Sequence, residues 1–141
     1  MLSAGYSGTS LAKKLGFKEG FLIRLIQPPA YYLQLFADYP LSARLITDSK
    51  TKVDCIHYFV VNAKELSDEI KSLRNQIKPD GFIWVSWYKK SSKKKTDITE
   101  DFIRTVALKN GLVDIKVCAI DDVWSALKLV IPVKDRDKTY R

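Results

Sequence analysis

Short apolar runs alternate with segments of helical character along this chain, and that alternation limits the fold more than any other feature. Six runs predict strands, at residues 21–26, 42–47, 54–61, 81–88, 113–120 and 124–131. Helices are predicted at 8–16, about 29–37, 63 to about 77, and 98 to about 110. A chain that alternates in this way forms a mostly parallel sheet with helices on both faces. We therefore predict a three-layer, Rossmann-like α/β fold with about six strands.

Capping and turn signals mark the ends of the predicted helices. Asn62 is followed three residues later by Glu65, and Asp97 by Glu100. Both pairs match the pattern in which a short polar residue and a later glutamate cap a helix N-terminus. The sequence KPDG at 78–81 predicts a turn, because proline, aspartate and glycine favour turn conformations.

The length and the two ends of the chain predict a simple organisation. At 141 residues, the sequence is typical of a single domain. Thr9 or Ser10 can cap the first helix and Gly16 can end it, so that about residues 1–16 form an N-terminal helical arm. Residues 134–141 are polar and predict a tail that frays.

Two connections determine the directions of the strands. Residues 121–123 join the last two strands, and so short a link makes antiparallel neighbours. Residues 48–53 join the second and third strands. These six residues reach about 20 Å when extended, and they are too few to form a helix and another strand. The final antiparallel strand and the sequence IKPDGFIWV resemble class I methyltransferases, and this resemblance implies that one αβ unit of that fold is missing.

The carboxyl ends of the strands predict the position of a binding site, because open α/β sheets bind ligands at that edge. We predict that ligand-binding residues lie at the strand ends and in the segment after the fourth strand. The candidates are Gln27, Asp48, Asn62, Trp87, Tyr88, Lys89, Lys90, Thr96 and Asp97.

The turn after the first strand is poorly suited to a nucleotide cofactor. A methyltransferase needs glycine there, so that its backbone can approach S-adenosylmethionine closely. This chain has QPPAYY, in which Pro28 and Pro29 donate no N–H and cannot adopt positive φ. Asp48 is the only acidic candidate for the ribose. We therefore expect no cofactor.

Other catalytic chemistry has weak support. His57 is the only histidine and lies within a predicted strand, so we expect a core residue and no metal site. Cys55 and Cys118 have no metal-binding spacing and predict small buried side chains. The sequence GYSGT at 5–9 looks like a nucleophile elbow, but no strand precedes it. We expect a flexible cap there and identify no catalytic residue.

The sequence KKSSKKK at 89–95 carries much of the net positive charge. Removing its five lysines lowers the net charge from +8 to +3. A run of lysines beside aromatic residues can bind phosphates and stack bases. The candidate polyanion-binding residues are Lys89, Lys90, Lys93, Lys94 and Lys95. The alternative is a solvated loop with Trp87 packed under a helix.

Four segments together resemble an uncharacterised bacterial family, domain of unknown function 3052. They are YSGTSLAKKLGFKEG, WVSWYKK, TDITEDFIR and GLVDIKVCAIDDVWSALKLV, and the likeness runs from about Tyr6 to Val133. The resemblance implies a shortened, Rossmann-like relative of methyltransferases and transfers no catalytic residue. The family usually has proline at the position of Tyr88 and a less basic loop after the lysine pair.

These observations predict a non-enzymatic, Rossmann-like domain that binds a small ligand or a protein partner at the carboxyl edge of its sheet. One alternative is nucleic-acid or other polyanion binding through residues 89–95. A second is an S-adenosylmethionine-dependent methyltransferase. The sequence has no apolar run of membrane-spanning length and no signal-peptide pattern, so we expect a cytoplasmic protein without a membrane partner.

Overall fold

A computed structural model describes residues 9–139 and contains one six-stranded sheet with helices on both faces. The strands are β1 Leu22–Ile26, β2 Arg44–Leu45, β3 Val53–Phe59, β4 Ile77–Tyr88, β5 Val113–Ala119 and β6 Trp124–Val130. The helices are α1 Leu11–Leu15, α2 Ala63–Arg74 and α3 Glu100–Lys109. Three short 3₁₀ turns lie at Tyr32–Leu35, Lys90–Ser92 and Val133–Asp135.

The strand order is β2-β1-β3-β4-β6-β5. β1 to β4 pair in parallel, whereas β6 is antiparallel to both of its neighbours, β4 and β5. The predicted α/β fold is therefore confirmed, and so is the antiparallel pairing of the last two strands. The chain leaves β1 for the edge strand β2 and then crosses to β3 on the other side, so the strand order reverses between β1 and β3.

The connection from β2 to β3 contains no helix, as the sequence predicts. The carboxylate of Asp48 accepts hydrogen bonds from the backbone N–H groups of Lys50 and Thr51, at 2.9 and 2.7 Å. Arg24 is only 5% exposed, and its guanidinium donates to the carbonyl oxygens of Asp48 and Thr51. Arg24, in β1, therefore fixes the short β2–β3 turn to the sheet.

Two apolar cores sandwich the sheet. On the α2/α3 face, Leu66, Ile70 and Ile103 pack against the strands. On the α1 face, Leu11 and Leu15 pack with aromatic residues that follow β1. The burial of three apolar side chains at helical spacing explains why the α2 sequence forms a helix on this sheet.

The two tryptophans of β4 lie on opposite faces, as their odd spacing predicts. Trp84 belongs to the α1 face and donates its indole N–H to the carbonyl of Leu15, at 2.9 Å. Trp87 belongs to the α2/α3 face. Trp84 therefore fastens the N-terminal helix to the centre of the sheet.

The helix predicted over about 29–37 is wrong. Only the turn Tyr32–Leu35 forms there. Aromatic rings within and after this turn pack on one another. The ring centroid of Phe36 lies 5.2 Å from that of Tyr32 and 5.2 Å from that of Tyr39. Aromatic side chains lose rotamer freedom in a helix, and here ring packing replaces the helical hydrogen-bond ladder.

The turn predicted at 78–81 is also wrong, because β4 already begins at Ile77. The pairing of β3 with β4 jumps from Val53–Ile77 to Cys55–Phe82, so these residues bulge within the strand. A side chain at Gly81 would place its Cβ 2.9 Å from the carbonyl oxygen of Asp54. Glycine is therefore required by the close approach of β3, not by a reversal of the chain.

Within residues 9–139, the helices are too short and too polar to cross a lipid bilayer.

Candidate functional site

A cleft of about 870 Å³ lies where β4 ends and α3 begins. We call it the lysine cleft, and we call residues 89–95 the lysine loop. The walls of the cleft come from the end of β4, the lysine loop, the start of α3 and one residue of β6. The lining residues are Trp87, Tyr88, Lys89, Lys90, Ser91, Lys93, Lys94, Thr96, Ile98, Thr99, Glu100, Asp101 and Ser125.

Hydrogen bonds fix the backbone of the lysine loop. The N–H of Lys89 donates to the carbonyl of Val123 at 2.8 Å. The Ser92 hydroxyl donates to the carbonyl of Lys89 at 2.7 Å and accepts from the N–H of Lys94 at 3.2 Å. At its far end the loop is attached by Thr96, whose hydroxyl donates to the carbonyl of Val61. The lysines are therefore carried by a defined loop.

The positive charges of the loop have no acidic partner in the described part of the chain. Salt bridges there involve Lys64, Lys78 and Arg104, and none involves a lysine of the loop. Lys94 places its ammonium 5.7 Å from the centroid of the Tyr88 ring. A cationic wall of this kind favours an anion in the cleft.

The two carboxylates of the cleft are already paired with an arginine. Arg104 donates from one Nη to Glu100 and from the other to Asp101, the latter at 3.2 Å. Its Nε donates to Asp114 at 2.9 Å, and this hydrogen bond is the first cause of the raised pKa of Arg104. Arg104 thus neutralises the carboxylates of Glu100 and Asp101. The lysines of the loop remain as the unpaired charges of the cleft.

The aromatic residues of the cleft differ in exposure. Trp87 is 8% exposed and packs in the core of the α2/α3 face, which agrees with the alternative that this side chain packs under a helix. Tyr88 is half-buried, with its ring 4.5 Å from that of Trp124. Tyr88 is therefore the aromatic surface that a ligand in the cleft could contact.

The start of α3 adds partial positive charge to the cleft. Thr99 caps this helix by accepting a hydrogen bond from the N–H of Phe102. Thr99, Glu100 and Asp101 all line the cleft, so the electropositive end of a ten-residue helix adjoins it. The prediction that Asp97 caps α3 is wrong.

Asp97 instead stabilises the neighbouring helix. Its carboxylate accepts from the N–H of Ala63 at 2.7 Å, and Asn62 accepts from the N–H of Glu65 at 3.0 Å. Both side chains therefore cap α2. Asn62 and Asp97, together with Lys95 and Thr96, line a shallow depression of about 540 Å³ beside the lysine loop.

The candidate residues at the other strand ends do not join the cleft. Gln27 follows β1 and lines separate depressions, of about 320 and 340 Å³. Asp48 is folded into its own turn. The carboxyl edge of the sheet is thus divided. The end of β4 forms the lysine cleft, and side chains bridge the ends of β1 and β3.

The residues between β1 and β3 do not fit S-adenosylmethionine. The Gln27 side-chain amide donates across this gap to the carbonyl of Phe59 at 2.9 Å and to Glu65 at 2.7 Å. Pro28 and Pro29 follow, without N–H groups to offer a ligand. The carboxylate of Asp48, the acid nearest the end of β2, is occupied by its own turn.

The lone histidine is a core residue. His57 is fully buried, with Nδ1 2.8 Å from the Tyr32 hydroxyl and Nε2 2.7 Å from the Ser86 hydroxyl. Burial lowers the pKa of His57 to about 3. The imidazole is therefore neutral and inaccessible to a substrate.

Neither cysteine has an activated thiol. Cys55 and Cys118 are buried and free, and burial raises the pKa of both thiols. Across residues 9–139 there is no group of three or more histidine, cysteine and acidic side chains that could hold a metal ion. The GYSGT sequence lies largely outside the described residues.

Comparison with known proteins supports the fold and goes no further. No protein-family model and no curated protein matches the sequence. Magnesium protoporphyrin IX methyltransferase from Synechocystis PCC 6803 is 15% identical, with 85% of this chain and 78% of that chain covered and a TM-score of 0.58. An S-adenosylmethionine-dependent methyltransferase from Aquifex aeolicus is 12% identical, with 86% and 87% covered and a TM-score of 0.58.

The fibrillarin pre-rRNA processing protein of Methanococcus jannaschii has a similar fold. It is 13% identical, with 81% of this chain and 68% of that chain covered and a TM-score of 0.57. This chain thus has a methyltransferase-like fold. At such identities the likeness is one of fold alone.

Several lining residues of the cleft were not predicted from the sequence, namely Ser91, Ile98, Thr99, Glu100, Asp101 and Ser125. Nor was Arg104, which pairs with two of them. Arg104 follows Glu100 by four residues and Asp101 by three, a helical spacing that predicts ion pairs. That signal was present in the sequence. Ser125 reaches the cleft because β6 pairs with β4, and the sequence did not reveal that pairing.

Proposed function

We propose that this protein is a non-catalytic, Rossmann-like domain that binds a small anionic ligand in the lysine cleft. The observation that carries the proposal is the charge arrangement: Lys89, Lys90, Lys93 and Lys94 line the cleft without acidic partners, whereas its carboxylates are held by Arg104. The cleft volume, about 870 Å³, lies within the usual range for small-molecule sites, about 300–1,000 Å³.

A phosphate-bearing ligand with an aromatic or heterocyclic part fits this cleft best. Lysine ammonium groups bind phosphate as compact point charges. The half-buried ring of Tyr88 lies among them and offers a face for stacking. We therefore use pyrophosphate and ATP as probes, with uncharged adenosine as the control ligand.

Isothermal titration calorimetry tests the proposal with two double variants of equal charge change. Lys90→Ala/Lys93→Ala removes two lysines of the cleft, and Lys71→Ala/Lys109→Ala removes two exposed lysines of α2 and α3 outside it. We expect the first variant to weaken binding of ATP and pyrophosphate by about tenfold or more, since charged hydrogen bonds contribute about 1.5–3 kcal/mol. The control should bind like the wild type. Equal weakening by both variants, or no binding of either anion by the wild type, would contradict the proposal.

The methyltransferase alternative is supported by the fold similarity alone. Against it stand the bridging side chain of Gln27 and the paired prolines after β1. Nucleic-acid binding through the lysine loop is the other alternative, and the same unpaired lysines support it.

We also propose that the chain is a member of the family known as domain of unknown function 3052, and that it acts in the cytoplasm. The four sequence segments given above support the family assignment. Two buried, unpaired cysteines are compatible with a reducing compartment.

A further inference from the structure

The hairpin of β5 and β6 opposes two lysines. Lys116 and Lys128 are directly paired across these antiparallel strands. Directly opposed residues have side chains on the same face, and like charges in such a pair are destabilising. Neither lysine forms a salt bridge within residues 9–139. Violations of a local rule of this kind are expected at functional sites.

The charge of Lys128 is held in place over the α1 face. Its ammonium lies 4.2 Å from the centroid of Phe82 and 5.9 Å from that of Trp84. Burial is the main cause of its lowered pKa, and the positive charges of Lys116 and Lys18 lower that pKa further. Gly16, two residues before Lys18, also lies beside this charge, because a Cβ added at Gly16 would be 3.8 Å from the Lys128 ammonium nitrogen. Lys18, Lys116 and Lys128 thus come together from separate segments of the chain, where an anion would relieve their repulsion.

This group of lysines is connected to the lysine cleft through Lys89. Burial raises the pKa of the Cys118 thiol, and the positive charges of Lys14, Lys116 and Lys89 oppose that rise. The backbone of Lys89 is also bonded to Val123 in the link between β5 and β6. We call Lys18, Lys128, Lys116 and Lys89 the basic track; it runs from the α1 face to the carboxyl edge of the sheet.

The shape of the track indicates the kind of partner. Lys128 lies over the α1 face, whereas the cleft reaches Trp87 and Ile98 in the core of the opposite face. A flat bilayer cannot follow a surface that turns around the edge of a sheet, but a flexible chain of phosphates can. Tyr88, at the turning point, offers a ring on which a base could stack.

We infer that the basic track and the lysine cleft together bind single-stranded nucleic acid, whose backbone passes from the Lys116–Lys128 pair around the sheet edge into the cleft. The inference rests on the proposed function only for the cleft end of this path, because Lys18, Lys116 and Lys128 do not line the cleft.

The test uses fluorescence anisotropy with labelled oligothymidylates of about 4 and about 16 nucleotides, the usual span of site sizes. Lys18→Gln/Lys116→Gln removes two exposed charges of the track, and Lys71→Gln/Lys109→Gln is the matched control. We expect the longer oligonucleotide to bind more tightly than the shorter one. The track variant should lose about tenfold in affinity for the longer one, and its salt slope should fall by about 0.7 for each lysine removed. ATP binding in the cleft should be unchanged.

Several outcomes overturn the inference. The first is equal affinity for the two oligonucleotide lengths, and the second is an unchanged salt slope in the track variant. The third is that the wild type binds vesicles of anionic phospholipid and not the oligonucleotides, with vesicle binding lost in the track variant. If the wild type bound the longer oligonucleotide but not ATP, the proposed function would be overturned and the inference about the track would stand. Since removal of one lysine from an opposed pair relieves repulsion, the thermal midpoint of the track variant should equal or exceed that of the wild type, which excludes misfolding as the cause of lost binding.

Discussion

At the scale of single residues, Arg104 determines the sign of the charge at the cleft. It forms ion pairs with Glu100, Asp101 and Asp114 and so leaves the lysines opposite them unpaired. Gln27 has a comparable effect at the other end of the carboxyl edge, where its amide occupies the gap between β1 and β3. Two side chains thus explain why the favoured site is the end of β4 and not the point at which the strand order reverses.

His57 makes stability depend on pH in a predictable direction. Burial lowers its pKa from 6.5 to about 3, so the unfolded chain takes up a proton at a pH where the folded protein does not. Stability is therefore full above about pH 6.5 and is lost as the pH falls toward 3. Between pH 6.5 and 4.5 the loss from this residue should be about 2 kcal/mol.

Urea unfolding of the wild type and of His57→Gln at pH 7 and pH 4.5 checks this prediction. Glutamine can still hydrogen bond with the hydroxyls of Tyr32 and Ser86 but does not titrate. The variant should be less stable at pH 7 and should lose less stability on acidification than the wild type. Equal losses in both proteins would show that His57 does not govern the acid response.

At the scale of elements, the lysine loop is tied to two neighbours that the sequence does not place beside it. Lys89 is bonded to the β5–β6 link, while Thr96 and Asp97 are bonded to the start of α2. Residues 96 and 97, which follow the loop, therefore attach it to the start of α2, and Asp97 in turn caps that helix. This mutual support keeps the lysines in position before any ligand binds.

Asp97→Ala should destabilise the protein by about 1 kcal/mol, because it removes an acceptor from the first turn of α2. Asp97→Asn should cost less, since the amide oxygen can still accept the hydrogen bond from Ala63. The measurement is urea unfolding, together with hydrogen exchange at the Ala63 amide. Asp68→Ala, an exposed acid on the same helix, is the control. An effect of Asp97→Ala no larger than that of the control would contradict this role.

The success of sequence reasoning also differed among elements. Strands β1, β3, β5 and β6 lie within the predicted runs or within one residue of them, because short apolar runs between turn signals have few alternatives. The Asn62 cap is confirmed. The 29–37 helix failed because aromatic packing replaced helical hydrogen bonding, and the 78–81 turn failed because a bulge absorbed it.

At the scale of the whole molecule, the chain combines a methyltransferase-like sheet with a binding site that is displaced from the gap between β1 and β3. The short β2–β3 connection is held by Arg24, and the end of β4 carries the loop with most of the excess charge. The loop lysines could be predicted from the sequence. Their lack of acidic partners, and the Lys116–Lys128 pair, depend on the register between distant segments and could not.

The most direct test of the central claim is to map binding by NMR. Amide chemical shifts of the ¹⁵N-labelled protein would be recorded with ATP and, separately, with S-adenosylhomocysteine. The account predicts that ATP shifts the amides of residues 88–101 and that S-adenosylhomocysteine shifts none. Shifts with either compound that centre on Gln27 and residues 60–62 would contradict it and place the site in the gap between β1 and β3.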